Sequence, residues 1–135
     1  MRQVLFLLLM MQISMSSIAV ASPGQVITIA KVVAAGHTLK LGTMSSLDQT
    51  CKSLGGTAVN IIDSPHNGEI YVQQNRDYPS YPTTNTRSRC NLQKVPVTQL
   101  FYTPNPGFRG DDTVIVELIT PLGDVLRERF NISVR

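Results

Sequence analysis

The stretch that decides the fold is Tyr102-Thr-Pro-Asn-Pro-Gly-Phe-Arg-Gly-Asp-Asp-Thr-Val-Ile-Val-Glu-Leu-Ile-Thr120. Its first part, residues 102–112, combines aromatic residues with proline, glycine and aspartate, a composition typical of a turn. Its second part, residues 113–120, nearly alternates between apolar and polar side chains, which predicts a strand with one buried face. The stretch therefore predicts a strand that leads through an aromatic corner into a second strand.

The turn that follows, Pro121-Leu-Gly123, predicts a hairpin together with its register. Proline suits the first position of a type I turn, and glycine suits the left-handed position that closes a three-residue loop. This loop places Glu117 opposite Arg127, whereas a two-residue loop would place Glu117 opposite Glu128, and like charges repel. The preferred register turns Glu128 towards an apolar face, so we expect it at a wet rim or beside a basic partner.

The sequence from Tyr102 to Val134 resembles the C-terminal half of bacterial immunoglobulin-like and cadherin-like domains, which occur in secreted and surface proteins. The shared pattern is Tyr-x-Pro, a Gly-Phe-x-Gly-x-Asp corner, an alternating strand, a glycine turn and a final strand. The resemblance implies an all-β fold, a single immunoglobulin-like antiparallel β-sandwich. It does not imply a function, because such sandwiches carry many unrelated functions.

The resemblance also assigns roles to residues of the corner. Tyr102 and Phe108 are expected to bury their rings against the core. Gly110 would adopt a backbone conformation that a Cβ atom forbids, and Asp112 would accept backbone N–H groups across the turn.

Upstream segments rich in β-branched residues predict further strands, at residues 25–30, 37–41, 57–62 and 69–73. Between the last two, Pro65 and Asn67-Gly68 predict a hairpin, because proline fixes φ early and Asn-Gly permits positive φ late. Residues 75–89 interrupt the pattern and include two Tyr-Pro pairs. We expect this to be the longest structureless stretch, serving either as a functional loop or as a solvated insertion.

Residues 1–21 predict a cleaved signal peptide. Met1-Arg2 is a short positive start, residues 4–11 are apolar, and Ala19-Val-Ala21 fits a cleavage site. The apolar run is shorter than the roughly 20 residues that span a bilayer, so no transmembrane anchor is expected. The alternative is an uncleaved start of a cytosolic domain. We expect an exported protein, periplasmic or extracellular, with residues 22–135 forming one sandwich domain.

The charge balance argues against one class of partner. The chain of 135 residues has a net charge of +3, and removing Arg2 with the leader lowers it by one. Nucleic-acid binding normally needs a concentrated basic face. We therefore expect no nucleic acid, and a protein or an envelope glycan or lipid remains as the partner class.

Cys51 and Cys90 are the only cysteines of the chain. In an oxidising compartment, a lone pair of cysteines is most simply a disulfide. The alternatives are a metal-binding pair or a reactive thiol, but a metal site needs more ligands, and the chain has two histidines. We expect a disulfide that stabilises the fold.

The candidate partner-binding residues lie in the interrupting stretch: Arg76, Tyr78, Tyr81, Arg87 and Arg89. Tyrosine and arginine dominate contact energies where an interface forms. A second candidate surface consists of the arginines of the last strand, Arg127, Arg129 and Arg135. These could bind an anionic partner or could only protect a sheet edge.

The sequence offers weak signals for a calcium site and for a hydrolase. Asp111-Asp112 could contribute to a calcium site, but calcium takes six to eight oxygens and no DxD run completes a shell; turn capping is the better explanation. His66, with Ser45 or Ser46 and with Asp48 or Asp63, could suggest a Ser-His-Asp hydrolase, but no Gly-x-Ser-x-Gly elbow is present, and no catalytic role is expected for His66 or His37. We expect a non-enzymatic binding or structural module without cofactor or metal. The alternative is a small secreted enzyme or enzyme inhibitor on the same scaffold.

Overall fold

A computed structural model describes residues 24–135, so the predicted signal peptide lies outside the described residues. The described part is all-β, as expected, with one short 3-10 helix at Thr86–Leu92. The strands are β1 Val26–Val33, β2 Leu39–Met44, β3 Ser46–Leu47, β4 Ser53–Gly55, β5 Ala58–Asp63, β6 Gly68–Asp77, β7 Val95–Pro104, β8 Gly110–Ile119 and β9 Val125–Val134.

The seven longer strands form two sheets. Sheet 1 has the order β1-β9-β8-β5, and sheet 2 has the order β2-β7-β6. β1 runs parallel to β9, and the other pairs are antiparallel. β3 and β4 form a separate two-stranded ladder.

The main core lies between the two sheets. Alternate residues of β8 and β9 are buried, as a strand with one buried face requires. The buried cluster contains Val33, Leu41, Leu100, Tyr102, Val114, Val116, Leu118, Phe130, Ile132 and Val134. Because this cluster draws on β2 and β7 as well as on β1, β8 and β9, the sheets pack face to face in a sandwich-like arrangement.

The register of the last hairpin is confirmed. Glu117 pairs with Arg127, and Thr120 accepts the N–H of Gly123 at 2.9 Å on its carbonyl oxygen. Gly123 has φ +89°, the left-handed conformation that a three-residue loop needs. Glu128 is half-buried on the inner side of β9, and Lys31 is the nearby basic group that affects it electrostatically.

The predicted hairpin between residues 57 and 73 is wrong. Both strands exist, but β5 belongs to sheet 1 and β6 to sheet 2, so the connection crosses from one sheet to the other. The reason is a distant residue: the Asp112 carboxylate accepts the N–H groups of His66 and Asn67 at 3.0 and 2.9 Å. These contacts direct the turn towards the corner instead of back along β5.

A second, smaller core covers the outer face of sheet 2 where β7 begins. Leu47, Cys90, Val95 and Val97 are buried there, with Cys51 and Tyr81 packed against them. Since successive side chains of a strand point to opposite faces, Val97 joins this cluster while Thr98 and Leu100 face inward. Residues 97–100 of β7 are therefore buried on both faces.

The disulfide between Cys51 and Cys90 is confirmed, with the two Cα atoms 5.5 Å apart. It joins the loop between β3 and β4 to the 3-10 helix, within the second core. Closing a loop of 39 residues stabilises a fold by about 4 kcal/mol in the chain-entropy model.

The expectation that residues 75–89 are structureless is wrong. β6 continues to Asp77, and the 3-10 helix begins at Thr86, where the Asn85 side chain accepts the Arg87 N–H at 2.8 Å. Between them, Tyr81 and Asn91 exchange two hydrogen bonds at 2.9 and 2.8 Å. The sequence pattern does not reveal this order because it comes from tertiary contacts.

Candidate functional site

The described residues enclose a cleft of about 410 Å³ at one end of the sandwich, within the size range of small-molecule sites. Most of the lining comes from three segments, namely residues 43–46 at the end of β2, residues 77–81 at and after the end of β6, and the ends of β8 and β9 at their hairpin; Lys40 and Thr57 complete it. The cleft is therefore built from parts of the chain that are distant in sequence.

Segment 77–81 is held in place by its own polar groups. Pro79 cannot donate a hydrogen bond to a strand ladder, so β6 ends at Asp77. The Tyr81 hydroxyl donates to the Ser45 carbonyl oxygen at 3.1 Å and accepts from the Ser45 hydroxyl at 3.2 Å. These bonds tie the segment across sheet 2 to the end of β2.

The lining combines apolar and hydroxyl groups. Met44, Leu118 and Leu126 supply apolar surface, and Leu126 is 44% exposed although it lies on the inner side of β9. Hydroxyl groups come from serine and threonine residues such as Thr43, Ser46 and Ser80. Tyr78 is 54% exposed and offers its ring at the cleft. Such a lining suits a ligand that is partly apolar and bears hydrogen-bonding groups.

The charges in the lining compensate each other. Lys40 Nζ lies 3.4 Å from Asp77 Oδ2, and Gln99 Nε2 donates to the same oxygen at 3.0 Å. The backbone N–H of Tyr78, followed by the Lys40 ammonium group, lowers the pKa of Asp77. Asp77 is therefore ionised at neutral pH and is neutralised by Lys40, which leaves the cleft without net charge.

A smaller depression of about 200 Å³ adjoins the cleft and shares Ser45, Ser46 and Tyr81 with it. It extends along the β8–β9 turn to Leu54 and Leu122, which are 42% and 70% exposed. The two depressions together form one strip of mixed apolar and polar side chains on this end of the sandwich.

The predicted partner-binding residues divide into two groups. Tyr78 and Tyr81 line the cleft, and Arg87 lines the smaller depression. Arg76 and Arg89 line neither the cleft nor the smaller depression. The Arg76 side chain instead donates to the Lys94 carbonyl oxygen at 2.8 Å, and that of Arg89 donates to the Gln49 carbonyl oxygen. Partner binding by these residues stays a prediction.

Three of those five side chains also hold the second core together. Arg87 Nε donates to the Leu47 carbonyl oxygen at 2.6 Å, Arg89 reaches Gln49, and Tyr81 reaches Ser45. Each contact links the segment around the 3-10 helix to the segment around β3. Tyr78, unlike Tyr81, makes no side-chain hydrogen bond to the segment around β3. Its ring packs under the Lys94 ammonium group, which lies 5.8 Å from the ring centre.

The arginines of the last strand lie apart from the cleft lining. Arg127 is exposed on the outer face of sheet 1 and pairs with Glu117 at 2.9 Å. Arg135 Nε donates to the Ser133 hydroxyl at 3.4 Å, and Arg129 lies between Ile115 and Thr28 of the neighbouring strands. Binding of an anionic partner here stays a prediction.

The opposite end of the sandwich is closed by the Tyr102–Asp112 corner. The Tyr102 hydroxyl donates to Asp112 Oδ2 at 2.9 Å, and the ring is fully buried, as expected. Burial, followed by the hydrogen bond to Asp112, raises the pKa of Tyr102 above its usual range, so the hydroxyl keeps its proton. Asp112 also accepts backbone N–H groups, as expected.

Two glycines fit this corner closely. A Cβ atom on Gly68 would lie 2.4 Å from a carbon of the Tyr102 ring, so only glycine permits the approach. Gly110 has φ +139°, which confirms its expected conformation. Phe108 is a correction: it packs against the core but stays half-buried, because it lies at the rim of the sandwich.

The residues of the hypothetical hydrolase lie far apart. His66 belongs to the Tyr102–Asp112 corner, whereas Ser45 belongs to the cleft. Asp112 and Leu118 mark these two ends on β8 and lie about 20 Å apart along the strand. His37 contacts the Ala35 carbonyl oxygen at 3.2 Å and does not line the cleft.

Residues 24–135 contain no group of three or more His, Cys, Asp or Glu residues placed to hold a metal ion. In the same range, no helix has the length and apolar character needed to cross a membrane.

Sequence reasoning missed the cleft residues Met44, Leu118 and Leu126. Their apolar side chains follow the strand pattern and are indistinguishable from core residues by sequence. One signal existed: the register that pairs Glu117 with Arg127 also places Leu118 opposite Leu126 next to the turn, where little of the opposite sheet is left to cover them.

Comparisons with known proteins give little beyond this geometry. No protein-family model matches the chain, and no curated protein matches it. Among solved structures, the solution structure of Amebosin aligns with a TM-score of 0.45 at 11% sequence identity. That alignment covers 83% of this chain and 100% of Amebosin.

Proposed function

We propose that the protein is an exported, non-enzymatic binding module with an immunoglobulin-like fold, and that the cleft holds part of its partner. The strand order supports the fold. If β1, β2, β5, β6, β7, β8 and β9 are strands A to G, sheet 2 has the order B-E-D and sheet 1 the order A-G-F-C. Immunoglobulin sandwiches likewise keep B, E and D in one sheet and C, F and G in the other.

Export is supported by the disulfide. Disulfides persist in oxidising compartments and are rare where thiols are kept reduced. Cys90 is completely buried in the second core, so the bond has a structural position. With the predicted leader, this favours the periplasm or the extracellular space.

The cleft is the observation that carries the binding proposal. It combines an exposed aromatic ring, apolar side chains and hydroxyl groups without net charge. Aromatic anchors beside apolar pockets are where binding energy concentrates. The lining favours an uncharged, partly apolar group, such as a segment of a protein or a neutral part of an envelope glycan or lipid.

Capture from native envelope extract and culture medium tests this proposal. Immobilised wild-type protein is compared with Tyr78→Ala, which removes the exposed ring at the cleft, and with Leu92→Ala. Leu92 is the matched control, because it is 87% exposed in the same part of the chain but lines neither depression. Quantitative mass spectrometry of the captured material gives the readout.

We expect the Tyr78→Ala variant to lose a component that the wild type and Leu92→Ala both retain. Both variants should melt within error of the wild type, since exposed side chains contribute little to stability. Equal capture by Tyr78→Ala and wild type would place the binding surface elsewhere. Deleting residues 76–89 is not a suitable test, because Tyr81 and Arg87 support the second core.

A further inference from the structure

β6 is the least protected edge of the two main sheets. Four strands lie at sheet edges, namely β1 and β5 in sheet 1 and β2 and β6 in sheet 2. An edge strand presents unpaired backbone N–H and C=O groups, and proteins usually guard such edges with bulges, prolines, short length or charged side chains.

The other three edges each carry such a guard. β2 is interrupted by a bulge between Lys40 and Gly42, and β5 by one between Ile61 and Asp63. β1 has Lys31 on its inner side, in line with Ile29 and Val33, and an inward charge disfavours pairing with another chain.

β6 has no bulge and no proline, and its charged residues lie only near its two ends. It pairs with β7 over ten residues without a register shift. Between Glu69 and Arg76, the sequence Ile70-Tyr-Val-Gln-Gln-Asn75 has no charge and no proline. Tyr71 and Val72 are 45% and 42% exposed, and Tyr71 is held in place by stacking on Phe101 with the ring centres 4.9 Å apart.

We propose that β6 is an interaction surface for a second copy of this chain, with the two β6 strands pairing antiparallel about a two-fold axis. The pairing would join two three-stranded sheets into one continuous sheet. Addition of a strand to a free edge is a known mode of recognition in which main-chain hydrogen bonds supply affinity, and a two-fold interface requires a self-complementary surface.

The charges of β6 select the register. The even-numbered residues of β6 lie on the inner face of sheet 2, opposite inward residues of β7 such as Leu100 and Tyr102. Residues that lie opposite each other in a sheet point to the same face, so the inner faces of the two copies stay on one side only if even-numbered residues pair with even-numbered residues. With Val72 opposite Val72 of the second copy, Glu69 faces Asn75 and Gly68 faces Arg76. A shift by one such step places Glu69 opposite Asp77, which is repulsive, and a shift the other way shortens the pairing.

The same register places aromatic rings together on the outer face. Tyr71 would have Tyr71 of the second copy as its diagonal neighbour, about 7–8 Å away, within reach of aromatic side chains. Because Tyr71 already stacks on Phe101, little side-chain freedom would be lost on association.

Sedimentation and light scattering over a range of concentrations test the proposal, with wild type compared to Val72→Lys and Ile27→Lys. Val72→Lys places two ammonium groups opposite each other and should abolish the dimer. Ile27→Lys is the matched control, since Ile27 is 49% exposed on the edge strand β1, and its dimer should persist. Thermal melts of both variants serve as the control for folding, and each should show a cooperative transition like that of the wild type. A monomeric wild type, or a Val72→Lys variant that still dimerises, overturns the proposal.

Oxidative cross-linking tests the register independently. Opposite Cα atoms in an antiparallel pair lie about 4.5–5.5 Å apart, which a disulfide can bridge. Val72→Cys should therefore give a covalent dimer, whereas Glu69→Cys should not, because its opposite residue is Asn75. Absence of the Val72→Cys cross-link in a sample that contains dimer overturns the proposed pairing.

Discussion

The two ends of the sandwich differ in how their polar groups are used. At the Tyr102–Asp112 corner, one buried carboxylate accepts from the Tyr102 hydroxyl and from three backbone N–H groups. At the cleft, hydroxyl groups and a compensated ion pair line an open space of about 410 Å³. The corner therefore has one arrangement that satisfies every partner, whereas the cleft has surface available for another molecule.

This difference indicates at which end substitutions should lower the free energy of unfolding. A buried polar group that loses its partner costs its full desolvation energy, so substitutions at the corner should destabilise the fold. Substitutions of exposed residues at the cleft should leave stability unchanged and affect binding.

The largest effect is expected for Tyr102→Ala. It removes a completely buried ring and leaves the Asp112 carboxylate without its hydroxyl donor, so the free energy of unfolding should fall by about 3–5 kcal/mol. Urea denaturation measures this. Tyr102→Phe, which keeps the ring, should cost about 1–3 kcal/mol. A Tyr102→Ala variant as stable as wild type would mean that the corner does not stabilise the fold.

Phe108→Ala is the comparison within the same corner. Its ring packs on the core but is half-buried, so we expect a cost of about 1–2 kcal/mol, in proportion to the apolar area that it buries. An equal loss for Phe108→Ala and Tyr102→Ala would show that burial does not rank these residues.

Removal of the disulfide is the largest change expected at the cleft end. The paired substitution Cys51→Ala with Cys90→Ala should lower the free energy of unfolding by about 2–4 kcal/mol, because the second core loses its covalent closure. Denaturation of the purified variant measures this. Intact mass after alkylation of unreduced, denatured wild type should show no modified thiol; two alkylated cysteines would contradict the pairing.

Gly68→Ala should destabilise by about 1–3 kcal/mol through overpacking. The added methyl group would lie 2.4 Å from the Tyr102 ring and 2.7 Å from the Thr103 carbonyl oxygen, so movement of the ring alone cannot make room and β6 must also shift. Gly42→Ala is the control, since its Cβ would meet only Met44 Sδ at 3.7 Å. Tyr102→Ala combined with Gly68→Ala should lose less stability than the sum of the two single losses, because Tyr102→Ala removes the contact with the ring but not the contact with the Thr103 carbonyl oxygen; fully additive losses would contradict this.

The smallest effects concern pH and should differ in sign. Partial burial raises the pKa of Glu128, with a smaller opposing effect from Lys31, so its charge destabilises the fold at neutral pH. Glu128→Gln should therefore stabilise at neutral pH, and the gain should vanish below the unfolded pKa of about 4.3, where Glu128 is protonated in both states.

Glu117 is the control for this pH effect. Its hydrogen bond to Arg127, followed by that to Asn60, lowers the pKa of Glu117, so its contribution is present above the unfolded pKa and lost as pH falls through the folded pKa. Glu117→Gln should destabilise at neutral pH and become neutral in acid. Thermal melts at several pH values compare the two variants, and effects of equal sign would contradict these assignments.

The sequence was sufficient for elements whose determinants are close together. The last hairpin follows from Pro121, Gly123 and the Glu117–Arg127 pair, all between residues 117 and 127. The corner follows from residues 102–112, including the conformation of Gly110. In these places, local turn chemistry and the tertiary contacts favour the same structure.

The sequence was not sufficient where a distant residue decides. Pro65 and Asn67-Gly68 fit a hairpin, but Asp112 binds the turn and directs β6 into the other sheet. The order of residues 78–92 depends on Cys51 and on carbonyl oxygens near β3. The cleft could not be predicted as a site because three separate segments form most of its lining.

The parallel pairing of β1 with β9 has a mechanical consequence. The register joins Val26 to Arg127 and Val33 to Val134, so β1 begins at the cleft end, while β9 finishes at the corner end. A force pulling these two points apart would slide the strands along each other and would load all the backbone hydrogen bonds between them at the same time. Antiparallel strands pulled at their shared end would instead lose their hydrogen bonds one after another. Resistance to pulling along this axis would thus be set by the whole length of β1.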